Sequence, residues 1–101
     1  MEKKYKIEYL PSSAKDLAEI VDYIKIDSPQ SALNFLDKID ESISRLEQFP
    51  FIGVIPKDIR LQSLGYRILI IDNYLVFYVV FDDIVEIRRI ISGKRKYDFL
   101  F

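Results

Sequence analysis

Residues 66–92 read YRILIIDNYLVFYVVFDDIVEIRRIIS. Three runs rich in β-branched and aromatic residues, Tyr66–Ile71, Tyr74–Phe81 and Ile84–Ser92, are separated by Asp72-Asn73 and Asp82-Asp83. Such runs favour pleated backbone, and two-residue polar separators make hairpin turns, so the stretch predicts a three-stranded antiparallel meander. Two-residue turns also fix the pairing. Ile71 then faces Tyr74, Arg67 faces Tyr78, Phe81 faces Ile84, Tyr78 faces Ile87 and Val76 faces Arg89. Side chains alternate across a strand, so Arg67, Tyr74, Tyr78 and Arg89 are expected on one face. Ile68, Ile70, Leu75, Phe77, Val79, Phe81, Ile84 and Ile90 would form the other, the better seat for helices. Glu86 and Arg88 fall on that second face as well, near an end or edge.

Upstream, Ser28-Pro29 is a helix start, with serine as N-cap and proline at the first helical position. Ala32, Phe35, Leu36, Ile39, Ile43 and Leu46 follow at helical spacing, and Pro50 biases Phe49 out of the helix. Before it, Ala14, Leu17, Ala18, Val21 and Ile24 predict a helix over about 13–26, with Ser13 and Asp16 as a near capping box. The short connection makes the two helices an antiparallel hairpin. Tyr5, Ile7 and Tyr9 alternate with polar residues, which predicts a half-buried first strand that Pro11 stops. Residues 50–65 read as loop, with a short helix around Ile59–Leu64. The fold class is therefore α+β, a single domain over residues 1–101.

Composition narrows the chemistry. The 101 residues include no cysteine and no histidine. That excludes disulfides, thiolate metal sites, histidine-based triads and a histidine general base. Only Gly53, Gly65 and Gly93 are glycines, so there is no phosphate-cradling glycine loop. No apolar run is long enough to span a bilayer and no signal peptide is evident, so a cytoplasmic protein without membrane contact is expected. Residues 1–50 carry seven basic and ten acidic side chains, residues 51–101 eight and six. Arg88, Arg89, Lys94, Arg95 and Lys96 fall close together with no acid among them, which points to local anion recognition. Arginine forks match phosphates and carboxylates, and tyrosines stack on bases. The same arginines serve equally as partners of acids on a solvated face, and tyrosines are common in strands for packing alone.

The order of strand, helix hairpin, meander and basic tail comes with specific strings. They include Ala14-Lys15-Asp16-Leu17, Ile20-Val21-Asp22-Tyr23-Ile24, Leu46-Glu47-Gln48-Phe49-Pro50, Gly65-Tyr66-Arg67, Asn73-Tyr74-Leu75-Val76-Phe77-Tyr78-Val79 and Arg89-Ile90-Ile91-Ser92-Gly93-Lys94-Arg95-Lys96-Tyr97. Together they make the chain resemble the RelE/ParE superfamily of type II toxin–antitoxin toxins. It looks closest to the ParE-like branch, often labelled plasmid stabilisation proteins. The resemblance implies a growth-arresting toxin neutralised by a cognate antitoxin that wraps it with helices and extended segments. RelE-like members are mRNA endoribonucleases (mRNA interferases) acting at the ribosome; ParE-like members inhibit DNA gyrase and are not nucleases. The face set by the registers, Arg67, Tyr74, Tyr78 and Arg89, together with Lys94, Arg95, Lys96 and Tyr97 after the last strand, is then the expected target-binding face. If the chain is a nuclease, Arg67 and Arg95 would stabilise phosphate charge and Tyr97 would act as acid/base or stacking group. Leu75 and Leu69 stand where RelE relatives carry basic residues, and Tyr, Lys and Arg, the residue types that remain, have unperturbed pKa values of about 10 or more, so a general base would need strong local tuning. The favoured expectation is thus ParE-like gyrase inhibition. The alternatives are a RelE-like nuclease or an inactive member that only binds its antitoxin. No metal or cofactor is expected.

Overall fold

The computed structural model describes residues 4–93. Strand β1 (Lys6–Tyr9) is followed by helices α1 (Pro11–Asp27) and α2 (Pro29–Ser44) and a 3-10 turn over Arg45–Glu47. A loop and the short helix α3 (Ile59–Ser63) lead to strands β2 (Tyr66–Ile71), β3 (Tyr74–Phe81) and β4 (Ile84–Ser92). The meander strands have the bounds their composition implies. Asp72 and Asp82 open the two turns at φ 52 and φ 53, a left-handed region that a short polar side chain tolerates. The sheet order is β1-β4-β3-β2, with β1 parallel to β4 and the other pairs antiparallel.

The α2 start behaves as read. Pro29 occupies the first turn and the Ser28 hydroxyl accepts from the Ser31 amide at 3.2 Å. Replacing Ser28 with alanine strands that amide, and the expected loss is about 1 kcal/mol of stability, to be measured by urea unfolding. The α1 start is different. Leu10 is the N-cap and Pro11 opens the helix, because its fixed φ suits a first turn. Ser13 is therefore inside the helix and fully buried, not a cap. This turns the α1 stripe: Ser13, Leu17 and Ile20 meet the core, whereas Ala14 and Ala18 are exposed.

Both faces of the sheet are apolar and both are covered. Against the helices lie Ile71, Val76, Tyr78, Val85, Ile87 and Ile90, packed with Ile39, Ile43 and Leu46. On the other face Tyr66, Ile68, Phe77, Val79 and Ile91 pack with Leu61 of α3, and Leu75 joins them. The expected assignment of the faces is thus inverted, except at Ile90, which the register shift in β4 brings under the helices as expected: the helices cover the side bearing Tyr78. Burying a tyrosine ring stabilises by about 2–3 kcal/mol, and the hydroxyl finds a partner, so burial wins over exposure. Continuous burial of Val76, Phe77, Tyr78 and Val79 leaves no polar alternation along β3 to tell the faces apart.

The pairing also departs at one point. Tyr78 faces Ile87 as expected, but Phe77 faces Arg89 and Val76 faces Ile90. Arg88 is the extra residue of a β-bulge, so the expected Val76–Arg89 pair does not form.

Candidate functional site

Arg67 leaves β2 towards the loop before α3. Its Nη1 donates to the Phe51 carbonyl at 2.9 Å and to the Gly53 carbonyl at 3.1 Å, and its guanidinium lies 5.1 Å from the Phe51 ring centroid. From beneath, the Tyr78 hydroxyl accepts from the Gly53 amide at 2.9 Å. Burial pushes the Tyr78 phenol above its ordinary pKa, against the Gly53 hydrogen bond and the Arg67 charge. Val54 exchanges both backbone hydrogen bonds with Ile68, at 2.8 Å each. One arginine, one buried tyrosine and one bridge thus staple this loop to the edge of β2. The loop carries exposed Phe49, Phe51, Ile52, Val54 and Ile55.

Arg89 points elsewhere. Its Nε and Nη2 grip Asp16 of α1 at 2.7 and 3.0 Å, and Asp16 also accepts from the Ile90 amide at 2.9 Å. The Asp16 hydrogen bonds hold the Arg89 guanidinium above the ordinary arginine pKa despite partial burial, with Glu19 adding to the effect. The pair borders a cleft of about 620 Å³ lined by Asp16, Glu19, Tyr23, Tyr74, Arg89 and Ser92. Tyr74 is half-buried, its ring 4.8 Å from that of Phe35.

These positions correct part of the expected target face. Tyr78 is fully buried and offers no contact surface. Arg67 and Arg89 are directed to different elements, the loop and α1, and do not meet. Lys94, Arg95, Lys96 and Tyr97 lie outside the described residues. Arg88, expected on the second face near an end or edge together with Glu86, pairs there with Glu86 at 2.8 Å and reaches the Tyr66 hydroxyl at 3.3 Å, 5.3 Å from that ring's centroid. Burial works against its charge, but Tyr66 and Glu86 outweigh this and keep its pKa raised.

Two features escaped the sequence. Asp16 was legible as a cap, yet acts as an anchor for β4, and no local pattern reveals a partner 73 residues away. An apolar pit of about 480 Å³ opens beside the helix hairpin, lined by Tyr9, Ala14, Leu17, Ala18, Val21 and Leu36 among others. The exposed alanines of α1 are part of its lining because Ser13, not Ala14, turns inward. Among the described residues no acidic cluster is arranged to hold a metal ion, and no helix is long and apolar enough to cross a membrane.

A sequence family described as the ParE toxin of the type II toxin–antitoxin system, parDE, matches residues 7–97. Among solved structures, the chain is similar to one described as the chromosomal ParDE TA system from P. aeruginosa, with a TM-score of 0.72 and 22% identity. The match covers 88% of this chain and 96% of that one, and it shows a shared fold. No curated protein sequence matches the chain.

Proposed function

Because the chain belongs to the ParE toxin family of type II toxin–antitoxin systems, we propose that it arrests growth by obstructing DNA gyrase without cutting nucleic acid. A cognate antitoxin holds it inactive in the cytoplasm. The whole chain, residues 1–101, acts as one domain. The observation that carries the non-nuclease reading is the fate of two leucines. Leu69 packs against the helix-side core and Leu75 against the Leu61 side. They stand at the strand positions where, by the resemblance, RelE-like nucleases use cations. Apolar side chains there cannot stabilise a phosphate as charge builds on it.

The apolar pit and the stapled loop support an antitoxin partner. An amphipathic segment that orders on binding gains most where apolar surface is already exposed and fixed. In this reading the target contacts come from the end of β4 onward, with Lys94, Arg95, Lys96 and Tyr97 as the reaching groups and Arg67 and Tyr74 at the periphery.

The decisive assay is gyrase supercoiling with purified chain, run beside a cell-free translation reaction. Inhibition of supercoiling with intact transcripts is expected, and Arg95→Ala should raise the half-inhibitory concentration at least about tenfold, equivalent to losing one charge-assisted contact. Codon-phased transcript cuts with unaffected gyrase would overturn the proposal in favour of a RelE-like nuclease.

A further inference from the structure

A β-bulge leaves backbone groups without ladder partners, and buried groups of that kind are costly. β1 accompanies β4 only as far as the Tyr9–Ile87 pair, so the bulge falls where the parallel neighbour has just ended. The first turns of α1 take over there. The Leu10 amide donates to the Ile87 carbonyl at 3.0 Å. Ser13 Oγ donates to the same carbonyl at 2.8 Å, and Ser12 Oγ donates to the Arg88 carbonyl at 2.7 Å. Asp16 receives the Ile90 amide and the Arg89 fork. Four consecutive β4 residues are thus bound by one stretch, Leu10–Asp16, the N-cap and first turns of α1.

We infer that Asp16 is a positioning residue: by holding Arg89 and the Ile90 amide it locks the β4 bulge and thereby sets where the chain leaves the sheet at Gly93. The Asp16 carboxylate is the one group of the stretch that binds both a side chain and the backbone beyond the bulge. Beyond Ile90 the strand makes its last pairs, Ile91 with Leu75 and Ser92 with Tyr74, and the Gly93 amide donates to the Asn73 carbonyl. A shift of one residue at the bulge would turn every later side chain to the opposite face. It would also displace the exit from which Lys94–Tyr97 follow. Arg89 is accordingly one half of this lock, its guanidinium held by Asp16. The inference rests on the proposed role of the residues after β4.

The test compares the full-length chain with Asp16→Asn, Arg89→Gln, Ser28→Ala and Arg95→Ala. Each is read by half-inhibitory concentration for supercoiling, growth arrest on induction, and urea midpoint. Asp16→Asn keeps an acceptor for the Ile90 amide but loses the charge that holds Arg89. Ser28→Ala is the structural control, since it weakens the fold at the α2 cap, far from the bulge. The expected result is a rise of about tenfold or more in half-inhibitory concentration for both Asp16→Asn and Arg89→Gln under conditions where both remain folded, with Ser28→Ala unchanged. If Asp16→Asn fails to fold, Arg89→Gln carries the same expectation from the other partner. Wild-type inhibition by folded Asp16→Asn and Arg89→Gln, with Arg95→Ala impaired, would overturn the positioning role and leave the proposed site standing. An unimpaired Arg95→Ala would instead remove the proposed site. If gyrase is unaffected by the wild type, growth arrest reads the same variants against whatever the target is.

Discussion

Tyr78→Ala is expected to lower the free energy of unfolding by about 3–5 kcal/mol, a large share of the roughly 5–15 kcal/mol available to a domain of this size. The side chain is fully buried and packs with Ile39, Ile43 and Leu46 beneath the helices, so truncation opens a cavity in the larger core. It also removes the hydroxyl that receives the Gly53 amide. Tyr78→Phe separates the two effects: the ring remains, one amide loses its partner, and a cost of about 1–2 kcal/mol is expected. Urea unfolding of the three chains measures both steps. The buried phenol has a second signature. Its folded pKa is raised above the ordinary value of 10.0, so the unfolded chain releases this proton first. The associated stability is complete below about pH 10 and is lost as pH rises through the higher folded value. Tyr78→Phe should flatten that alkaline decline in part, leaving the share due to Tyr9, whose pKa is raised by burial and by Asp40.

The second large effect is expected at Gly53. A Cβ there would lie 2.6 Å from the Tyr78 hydroxyl oxygen, 2.8 Å from its Cε1 and 3.0 Å from the Ile68 carbonyl oxygen. The tyrosine is locked in the core and the carbonyl belongs to a strand, so neither neighbour yields cheaply. Gly53→Val should cost about 3 kcal/mol by overpacking. Because most of the clash is with one side chain, the penalty should shrink in a Tyr78→Ala background. A double-mutant cycle is expected to show a coupling above about 1 kcal/mol. Strict additivity would mean that the added side chain does not press on Tyr78.

The contrast between what the residues announced and what they concealed follows from the range of the interactions involved. Strand bounds and turns came from local composition, and they hold because Asp72-Asn73 and Asp82-Asp83 interrupt otherwise uniform apolar runs. The same proline rule that located the α2 start at Ser28-Pro29 applies to Leu10-Pro11, and reading Pro11 as a stop misplaced the α1 cap. The bulge at Arg88 was not legible, since nothing in Ile87-Arg88-Arg89-Ile90 distinguishes a paired arginine from an extra one. That single residue removed the expected Val76–Arg89 pair. The choice of face failed for a related reason: with buried residues on both sides of β3, the decision belongs to the helices and α3, not to the strand itself. Of the expected contact residues, Arg67 and Arg89 were singled out by residue type, whereas their partners, two backbone carbonyls and Asp16, are tertiary facts.

The pairing of β1 with β4 bears on when the toxin comes into being. Ser13 finds its carbonyl partner 74 residues downstream, and β1 has its parallel neighbour at the far end of the meander. Contacts between such distant segments form late, after the intervening chain is available. During synthesis the first strand and the docking turn of α1 must wait while the helix hairpin and two further strands emerge. A message broken before the codons for β4 would yield a product whose opening segments have nowhere to land. The folded domain, with β1 and the first turns of α1 seated on β4, therefore forms only after translation has passed through Ile84–Ser92.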